Sequence, residues 1–293
     1  MVYRISTRVG FALLVFAGAG VVMALALSFV PDRSIDLSTF ERFRTYLYTL
    51  LSFDCGASER YSVPFSVLLW DRGLNSLMLI GGAIFILGAV GVSLGVGAAF
   101  RPESYGLKVG VGVAHVLSAV PVLVWAFLLL IVSGAGFGVY PNFSVLESAA
   151  EWEKIFFYGV PILSLGLGDG MLSDIIRNVR NETQRELGKP HVRALQARSV
   201  PVLGHVWRGI VSQVFSTITN KISYLVSGTI VVEVIFDIRG LAWLIYRSVA
   251  ETPKEYSLVL AATMLFVGIV VVLDVIGETI SVMTDPRLQT QTK

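Results

Sequence analysis

The chain has 293 residues, of which 54% are hydrophobic and 15% are charged, whereas soluble domains carry about 25% charged residues. Its mean hydropathy of +0.72 and its long unbroken apolar blocks exclude an ordinary soluble fold and predict an integral membrane protein. The net charge of +2 is too small to indicate a nucleic-acid partner, and the single cysteine, Cys55, cannot form a disulfide within the chain.

Six apolar blocks are each long enough to cross a bilayer, whose hydrocarbon core requires about 20 residues of helix. We predict transmembrane helices over Gly10–Val30, Gly73–Phe100, Val109 to about Ser133, Ile155–Ser173, about Ile210 to Val234, and about Tyr256 to Met283. The third block continues to Leu146, but three glycines after Ser133 favour a helix end there. The first block lacks a clean signal-peptide cleavage site, so we expect a retained helix. Glycines four residues apart, such as Gly91 and Gly95, predict close packing between helices.

Lysine and arginine are concentrated before the first span, between spans two and three, between spans four and five, and after span six. Such residues are enriched in cytoplasmic loops, and in a six-span protein these four segments all lie on one side. We therefore expect both termini to be cytoplasmic. The predicted organisation is an N-terminal transmembrane helix (1–30), an extracytoplasmic loop (31–72), a transmembrane core (73–283) with a cytoplasmic loop (174–208), and a cytoplasmic tail (284–293).

The segment 174–208 is too long and too regular for a passive connection. Gly188-Lys189-Pro190 predicts the end of one helix, and Pro201 with Gly204 predicts the end of the next. The intervening residues 191–199 would form a helix that is too short to be stable alone in water. We therefore expect this helix to lie outside the membrane against a partner surface.

Residues 192–201, VRALQARSVP, resemble the cytoplasmic EAA loop of binding-protein-dependent ABC importer permeases, in the form found in dipeptide and oligopeptide systems. Further matches keep the family's order along nearly the whole chain: Asp54–Ser58, Asn75, Ser227–Phe236, Gly240-Leu241 and Asp285–Leu288. The chain departs from the family at Ser199, where glycine is usual, and at Pro190-His191, where an acidic and an aromatic residue are usual.

The resemblance implies an all-α type I importer permease (MetI-like) fold with about six transmembrane helices. Such a chain is the permease subunit of an ATP-driven importer and forms half of the path for peptides or a similar small solute. The implied partners are a second permease subunit, which in this subtype is a different chain, two ABC ATPase subunits and an extracytoplasmic solute-binding protein. The ATPases use ATP, so no cofactor, metal ion or catalytic residue is expected in this chain. The ATPase-coupling helix would comprise His191, Val192, Arg193, Ala194, Leu195, Ala197, Arg198, Ser199 and Pro201.

Charged side chains within spans are costly in lipid and usually face protein or a water-filled path. Candidates for the solute path lie at the outer end of span five, near the inner end of span six and near the cytoplasmic end of span four: Glu233, Asp237, Asp274, Glu278 and Asp169. The alternative is that they lie at the membrane interface, cap helices, or pair with Lys221 or Arg239. The sequence leaves both possibilities open.

Other function classes are open to a multi-span protein. A secondary transporter would need no ATPase, but the inverted repeat typical of that class is not evident between the halves. A membrane-embedded enzyme would need His, Asp or Ser side chains grouped at membrane depth, and no HExxH, GxSxG or P-loop motif occurs in the sequence. A purely structural membrane subunit would not explain the EAA-like segment.

Overall fold

The computed structural model describes residues 2–30, 37–52, 56–58, 60–143, 146, 149–198, 201–252 and 254–284. These residues form a helical bundle with one small hairpin, in which β1 (Ala57–Ser58) pairs with β2 (Val63–Pro64) in antiparallel fashion. The helices are α1 (Val2–Ser28), α2 (Thr39–Ser52), α3 (Phe65–Phe100), α4 (Tyr105–Ser118), α5 (Val122–Phe137), α6 (Lys154–Leu167), α7 (Met171–Leu187), α8 (Pro190–Ala197), α9 (Leu203–Ile235), α10 (Leu241–Ala250) and α11 (Tyr256–Thr284).

Four of these helices, α1, α3, α9 and α11, are long and apolar enough to cross a membrane. Two further pairs qualify as bent spans, α4 with α5 at an angle of 104° and α6 with α7 at 61°. If each bent pair crosses once, the described part of the chain has six spans. The predicted all-α membrane fold with about six transmembrane helices is therefore confirmed.

The third predicted span is a broken helix rather than a continuous one. α4 ends at Ser118 and α5 begins at Val122, because Pro121 lacks an N–H donor and disfavours helical backbone at the residue before it. α5 then continues to Phe137, beyond the predicted end. It stops at Gly138, whose left-handed φ of 69° terminates the helix.

The fourth predicted span is also broken. α6 ends at Leu167, and Asp169 and Gly170 adopt left-handed backbone with φ of 56° and 77°. α7 follows and packs against α3 and α9. The first turns of the segment 174–208 therefore belong to the bundle, and the expectation of one continuous helix over Ile155–Ser173 was wrong.

Close packing between α3 and α7 depends on two glycines of α3. A Cβ atom at Gly91 would lie 2.6 Å from Ile175 Cγ2, and one at Gly95 would lie 2.9 Å from the carbonyl oxygen of Ile176. Neither position has room for a side chain, since carbon atoms in contact are normally about 3.5–4.0 Å apart. The packing role predicted for this glycine pair is confirmed.

The directions of the helices place several chain segments at one end of the bundle. Leu27 near the end of α1 packs in a cluster with Tyr256 at the start of α11, so these two helices are antiparallel. α10, which follows α9, packs on Leu258 at the start of α11, whereas Thr219 in α9 lies beside Gly277 towards the end of α11. The beginnings of α1 and α9, the end of α11 and the whole of α8 therefore share one end, called here the α8 end. The opposite end is the α10 end.

The predicted loop 31–72 contains α2 and the hairpin, and α3 begins before the predicted start of the second span, at Phe65. α2 starts with a capping box, in which Glu41 N–H donates to Ser38 Oγ at 3.3 Å. In return the Glu41 carboxylate accepts hydrogen bonds from the hydroxyl and the N–H of Ser38, at 2.7 and 2.9 Å. The hydroxyl and then the N–H of Ser38 lower the pKa of Glu41, because they donate to its charged form.

Candidate functional site

α8 joins α7 to α9 at the α8 end of the bundle. Gly188 and Pro190 separate α7 from α8, because proline fits the first turn of a helix but not its interior. Val192 is fully buried in the main hydrophobic core, and Leu195 is half-buried. These two side chains hold α8 on the bundle. The short helix that the sequence predicts over 191–199 is present.

The opposite face of α8 is exposed. It presents Arg193, Ala194, Ala197 and Arg198, and Pro201 beyond the helix is exposed as well. The two alanines leave the backbone open to close approach by another surface, and the arginines give that face positive charge. Two further residues assigned to coupling, Ser199 and the side chain of His191, lie outside the described part of the chain.

Two buried carboxylates lie at the end of α7 next to α8. Glu182 and Glu186 are 8% and 7% exposed, and they form ion pairs with Arg185, at 2.8 Å, and with Lys189. Glu186 also packs against Gly209 of α9, where a Cβ atom would lie 3.0 Å from Oε1. These contacts hold the end of α7, from which α8 follows directly, against the first part of α9.

Glu233 is fully buried and joins three helices. Its carboxylate accepts hydrogen bonds from Ser76 Oγ at 2.5 Å and from the N–H groups of Ala242 and Trp243 at 2.8 and 3.0 Å. Ser76 Oγ in turn accepts a hydrogen bond from Leu241 N–H at 2.9 Å. Glu233 thus caps the N-terminus of α10, where the helix dipole favours negative charge. Of the two possibilities left open by the sequence, the structure favours capping over a solute-path role for this residue.

Asp237 lies at the turn between α9 and α10 and has a left-handed φ of 51°. Its carboxylate accepts a hydrogen bond from Trp243 Nε1 at 2.6 Å and lies 3.7 Å from Arg247 Nη2. The guanidinium groups of Arg72 and Arg247 lie 5.9 and 5.0 Å from the centroid of the Trp243 ring. Asp237 therefore belongs to a half-buried cluster with cations at the α10 end.

The two broken spans are joined at their breaks by four hydrogen bonds. They run from Gly170 N–H to Ser118 O (2.7 Å), from Asp169 N–H to Val120 O (3.3 Å), from Val122 N–H to Asp169 Oδ1 (3.3 Å) and from Ser173 N–H to Ser118 Oγ (3.2 Å). In lipid, a helix break would otherwise leave backbone groups without partners. The segments 118–122 and 168–173 are called here the paired breaks.

Asp169 is exposed near the middle of the bundle. Gly166 and Leu172 flank it, and they lie beside Ala83 and Gly91 of α3. That part of α3 is central in the second apolar block, which carries no charged residue. An exposed carboxylate at this depth is costly in lipid, so the face that carries it meets water or another protein.

The remaining path candidates lie on the second half of α11. Asp274 is half-buried, and the side chain of Glu278 is outside the described part of the chain. Lys221 forms an ion pair with Asp174 at 2.9 Å, across α9 and α7, a pairing that the sequence analysis did not identify. Among the described residues, no group of three or more His, Cys, Asp or Glu side chains could hold a metal ion.

Comparison with known proteins decides the family. Residues 91–289 match the family model described as "Binding-protein-dependent transport system inner membrane component". The chain belongs to this family. A protein of Brucella abortus (strain 2308), whose name describes a peptide transport system permease, is 26% identical over 268 residues, covering 88% of this chain and 82% of that protein.

Two further relatives of this permease have names that include a transported solute. The oligopeptide transport system permease protein AppB of Bacillus subtilis (strain 168) is 23% identical, over 89% of this chain and 84% of its own length. The dipeptide transport system permease protein DppB of Escherichia coli (strain K12) is 22% identical, over 97% and 96%. The resemblance to dipeptide and oligopeptide permeases is confirmed, as are the prediction of an integral membrane protein and the assignment to transport subunits rather than enzymes. The description of the family places the chain in the inner membrane.

In this permease the family match begins within α3 and includes the paired breaks, α8 and Glu233. The predicted spans did not include the paired breaks, although both breaks carry local signals. Pro121 interrupts one apolar block, and Gly168-Asp169-Gly170 is a turn-forming tripeptide in the other. The role of Ser76 had no local signal, since it depends on contact with Glu233 on a distant helix.

Proposed function

We propose that this permease forms half of the translocation path of an ATP-driven importer for peptides or a similar small solute. The observation that carries the proposal is the two-sided character of α8. Val192 is buried in the bundle, whereas Arg193, Ala194, Ala197 and Arg198 face outwards. A short helix with one anchored face and one exposed cationic face is suited to lie in a groove of a partner protein. The names of the oligopeptide and dipeptide relatives support the class of solute.

In the proposed assembly, the α8 end and both chain termini lie in the cytoplasm. The concentration of Lys and Arg in segments at that end supports this orientation. Two ABC ATPase subunits dock on α8 of this chain and on the equivalent helix of a second, different permease chain, and ATP is used by those ATPases. A solute-binding protein delivers the solute at the α10 end, where α2 and the hairpin form the surface of the extracytoplasmic segment 31–72.

The contacts of α8 suggest how closure of the ATPases reaches the membrane. Val192 couples α8 to the bundle core, and Glu186 couples the end of α7 to Gly209 of α9. α7 directly follows one of the paired breaks. It packs closely on α3 at Gly91 and Gly95, so a movement of α7 is transmitted to α3. A displacement of α8 therefore tilts α7 about the break and changes access to the path from the two sides.

Within this proposal, the paired breaks form part of the wall of the solute path. Asp169 is the candidate with the strongest structural support, because its carboxylate is exposed at the depth of the charge-free part of α3. Asp274 and Glu278 on α11 remain candidates for the cytoplasmic half of the path, and Asp237 for its outer mouth. Glu233 has a capping role instead.

Copurification from native membranes tests the docking role of α8. We expect the tagged wild-type chain to retain ATPase subunits in mild detergent. Ala197→Glu is expected to lose about nine-tenths of them or more, because the larger side chain prevents close approach at this position and its negative charge neutralises part of the cationic face. A tenfold loss of affinity corresponds to roughly 1.4 kcal/mol. Ala250→Glu is the matched control, because Ala250 is exposed at the other end of the bundle, on α10.

Either of two outcomes would contradict the proposal. If Ala197→Glu retains as much ATPase as the control, α8 is not part of the interface with the ATPases. Solute uptake by the reconstituted permease in the absence of any ATPase would favour a secondary transporter.

A further inference from the structure

A cavity of about 500 Å³ opens at the α8 end between α3, α4 and α7, within the size range of sites that hold small ligands. Its lining includes four basic side chains: Arg101, Lys108, His115 and Arg180. All four are exposed, and they come from three separate elements. The cavity is therefore a concentration of positive charge built by the fold rather than by one run of sequence.

The acidic side chains near the cavity neutralise little of this charge. Glu103 pairs with Lys108 at 3.0 Å, but the two side chains are 92% and 57% exposed, so the pair is weak. Within the described part of the chain, neither Arg101 nor Arg180 forms an ion pair. His115 Nδ1 lies 2.7 Å from the carbonyl oxygen of Val111, and the residue is part of the cavity lining.

The depth of the cavity and its other lining residues indicate the kind of ligand. Arg101 is the first charged residue after the charge-free block of α3, so the basic rim lies at the boundary between membrane and water. Leu107, Val111 and Gly112 line the same cavity and give it an apolar wall on α4. The site thus combines an anion-binding rim with a surface for a hydrocarbon chain, within reach of a lipid leaflet.

We propose that this cavity binds the headgroup of an anionic phospholipid, with the phosphate between Arg101, Lys108 and Arg180 and an acyl chain along Leu107 and Gly112. The bound lipid bridges α4 and α7, which flank the paired breaks on the α8 side. None of the lining residues lies on α8, so the variants described below leave the proposed docking helix unchanged.

The test uses the intact transport assembly, purified and depleted of lipid. Native mass spectrometry and thermal unfolding are recorded while phosphatidylglycerol, phosphatidylcholine or inorganic phosphate is added. We expect saturable binding of phosphatidylglycerol with a rise in apparent Tm, and at least a tenfold weaker apparent affinity for the double variant Arg101→Gln/Arg180→Gln. Arg44→Gln is the matched control, since Arg44 is an exposed arginine on α2 at the other end of the bundle.

A second variant, Gly112→Leu, keeps every charge and enlarges one residue of the cavity lining. No atom lies within 4 Å of a Cβ placed at Gly112, so the first carbon of the new side chain meets no neighbour, and leucine replaces a poor helix former. Gly112→Leu is expected to weaken phosphatidylglycerol binding without lowering the Tm of the lipid-free assembly. This variant tests the proposal even if the double variant folds poorly.

The proposal would be overturned by equal phosphatidylglycerol binding in wild type and in both variants. If inorganic phosphate raises the apparent Tm as much as phosphatidylglycerol does, the site binds a free anion. If phosphatidylcholine binds equally well, the negative charge of the headgroup has no role in binding. Loss of the second permease chain from the double variant would assign the basic rim to a subunit interface instead.

Discussion

Replacement of Glu233 by alanine removes the acceptor of three buried donors: Ser76 Oγ and the N–H groups of Ala242 and Trp243. A buried donor without an acceptor costs about 1–3 kcal/mol. The Ser76 hydroxyl has the carbonyl of Arg72 as a second acceptor at 3.4 Å, but among the described residues the two N–H groups have no acceptor besides Glu233. We therefore expect the start of α10 to lose about 3 kcal/mol of local stability, which corresponds to a rise of about a hundredfold in the exchange rate of its amide hydrogens.

Hydrogen exchange measured by mass spectrometry on the assembly in nanodiscs reports this change. Glu233→Gln keeps one acceptor oxygen and is expected to give an intermediate rate. Glu251→Ala is the control, because the Glu251 side chain is 40% exposed at the other end of α10 and its surface ion pairs contribute less than about 1 kcal/mol. Unchanged exchange in α10 of Glu233→Ala, together with lost solute uptake, would refute the capping role and return Glu233 to the solute path.

Gly95→Ala is expected to lower the Tm, because its Cβ would lie 2.9 Å from the Ile176 carbonyl oxygen and overpacking costs about 1–3 kcal/mol. Gly88→Ala, where no atom lies within 4 Å, is its control, and equal Tm values would contradict the packing. Asp169→Asn tolerates the left-handed backbone and keeps an acceptor oxygen for Val122 N–H while it removes the negative charge. We therefore expect a stability change of less than about 1 kcal/mol and reduced uptake in vesicles; full uptake would exclude the charge of Asp169 from the path. The folded-state pKa of Glu41 is lowered, so the capping box stabilises α2 above the ordinary pKa of Glu and loses that contribution as the pH falls through the lowered value. Amide exchange in the first turn of α2 from about pH 6 to pH 3 should show this step in wild type and not in Ser38→Ala.

Hydropathy alone predicted the number of spans, because the lipid environment imposes a length and an apolar composition on every crossing helix. Hydropathy could not predict the two breaks. A block with enough apolar residues to cross the bilayer meets the length criterion whether or not its helix is interrupted at Pro121 or at Asp169. α8 was found because Pro190 and Pro201 bound it and because its sequence resembles a family motif. Its two faces were established by the structure, in which Val192 is buried in the core and Ala194 and Ala197 are exposed.

The roles of the charged residues depended on contacts between distant helices. Glu233 carries no local sign of capping, because its partner Ser76 is 157 residues away along the chain and α10 begins only after a turn. The pairing of Lys221 with Asp174 across two helices could not be predicted from the sequence for the same reason. For such residues the sequence predicts that a partner exists, since an isolated charge in a span is costly, but it does not identify the partner.

The paired breaks also constrain how permeases of this kind can be recombined. Each break supplies donors and acceptors to the other, so α4–α5 and α6–α7 form one structural module although they occupy separate stretches of sequence. A chimera that takes α4–α5 from a relative and keeps α6–α7 from this chain would combine breaks from two different proteins, whose donors and acceptors need not match. Exchange of the whole stretch from Tyr105 to Leu187 keeps the two breaks together and is expected to preserve the hydrogen bonds between them.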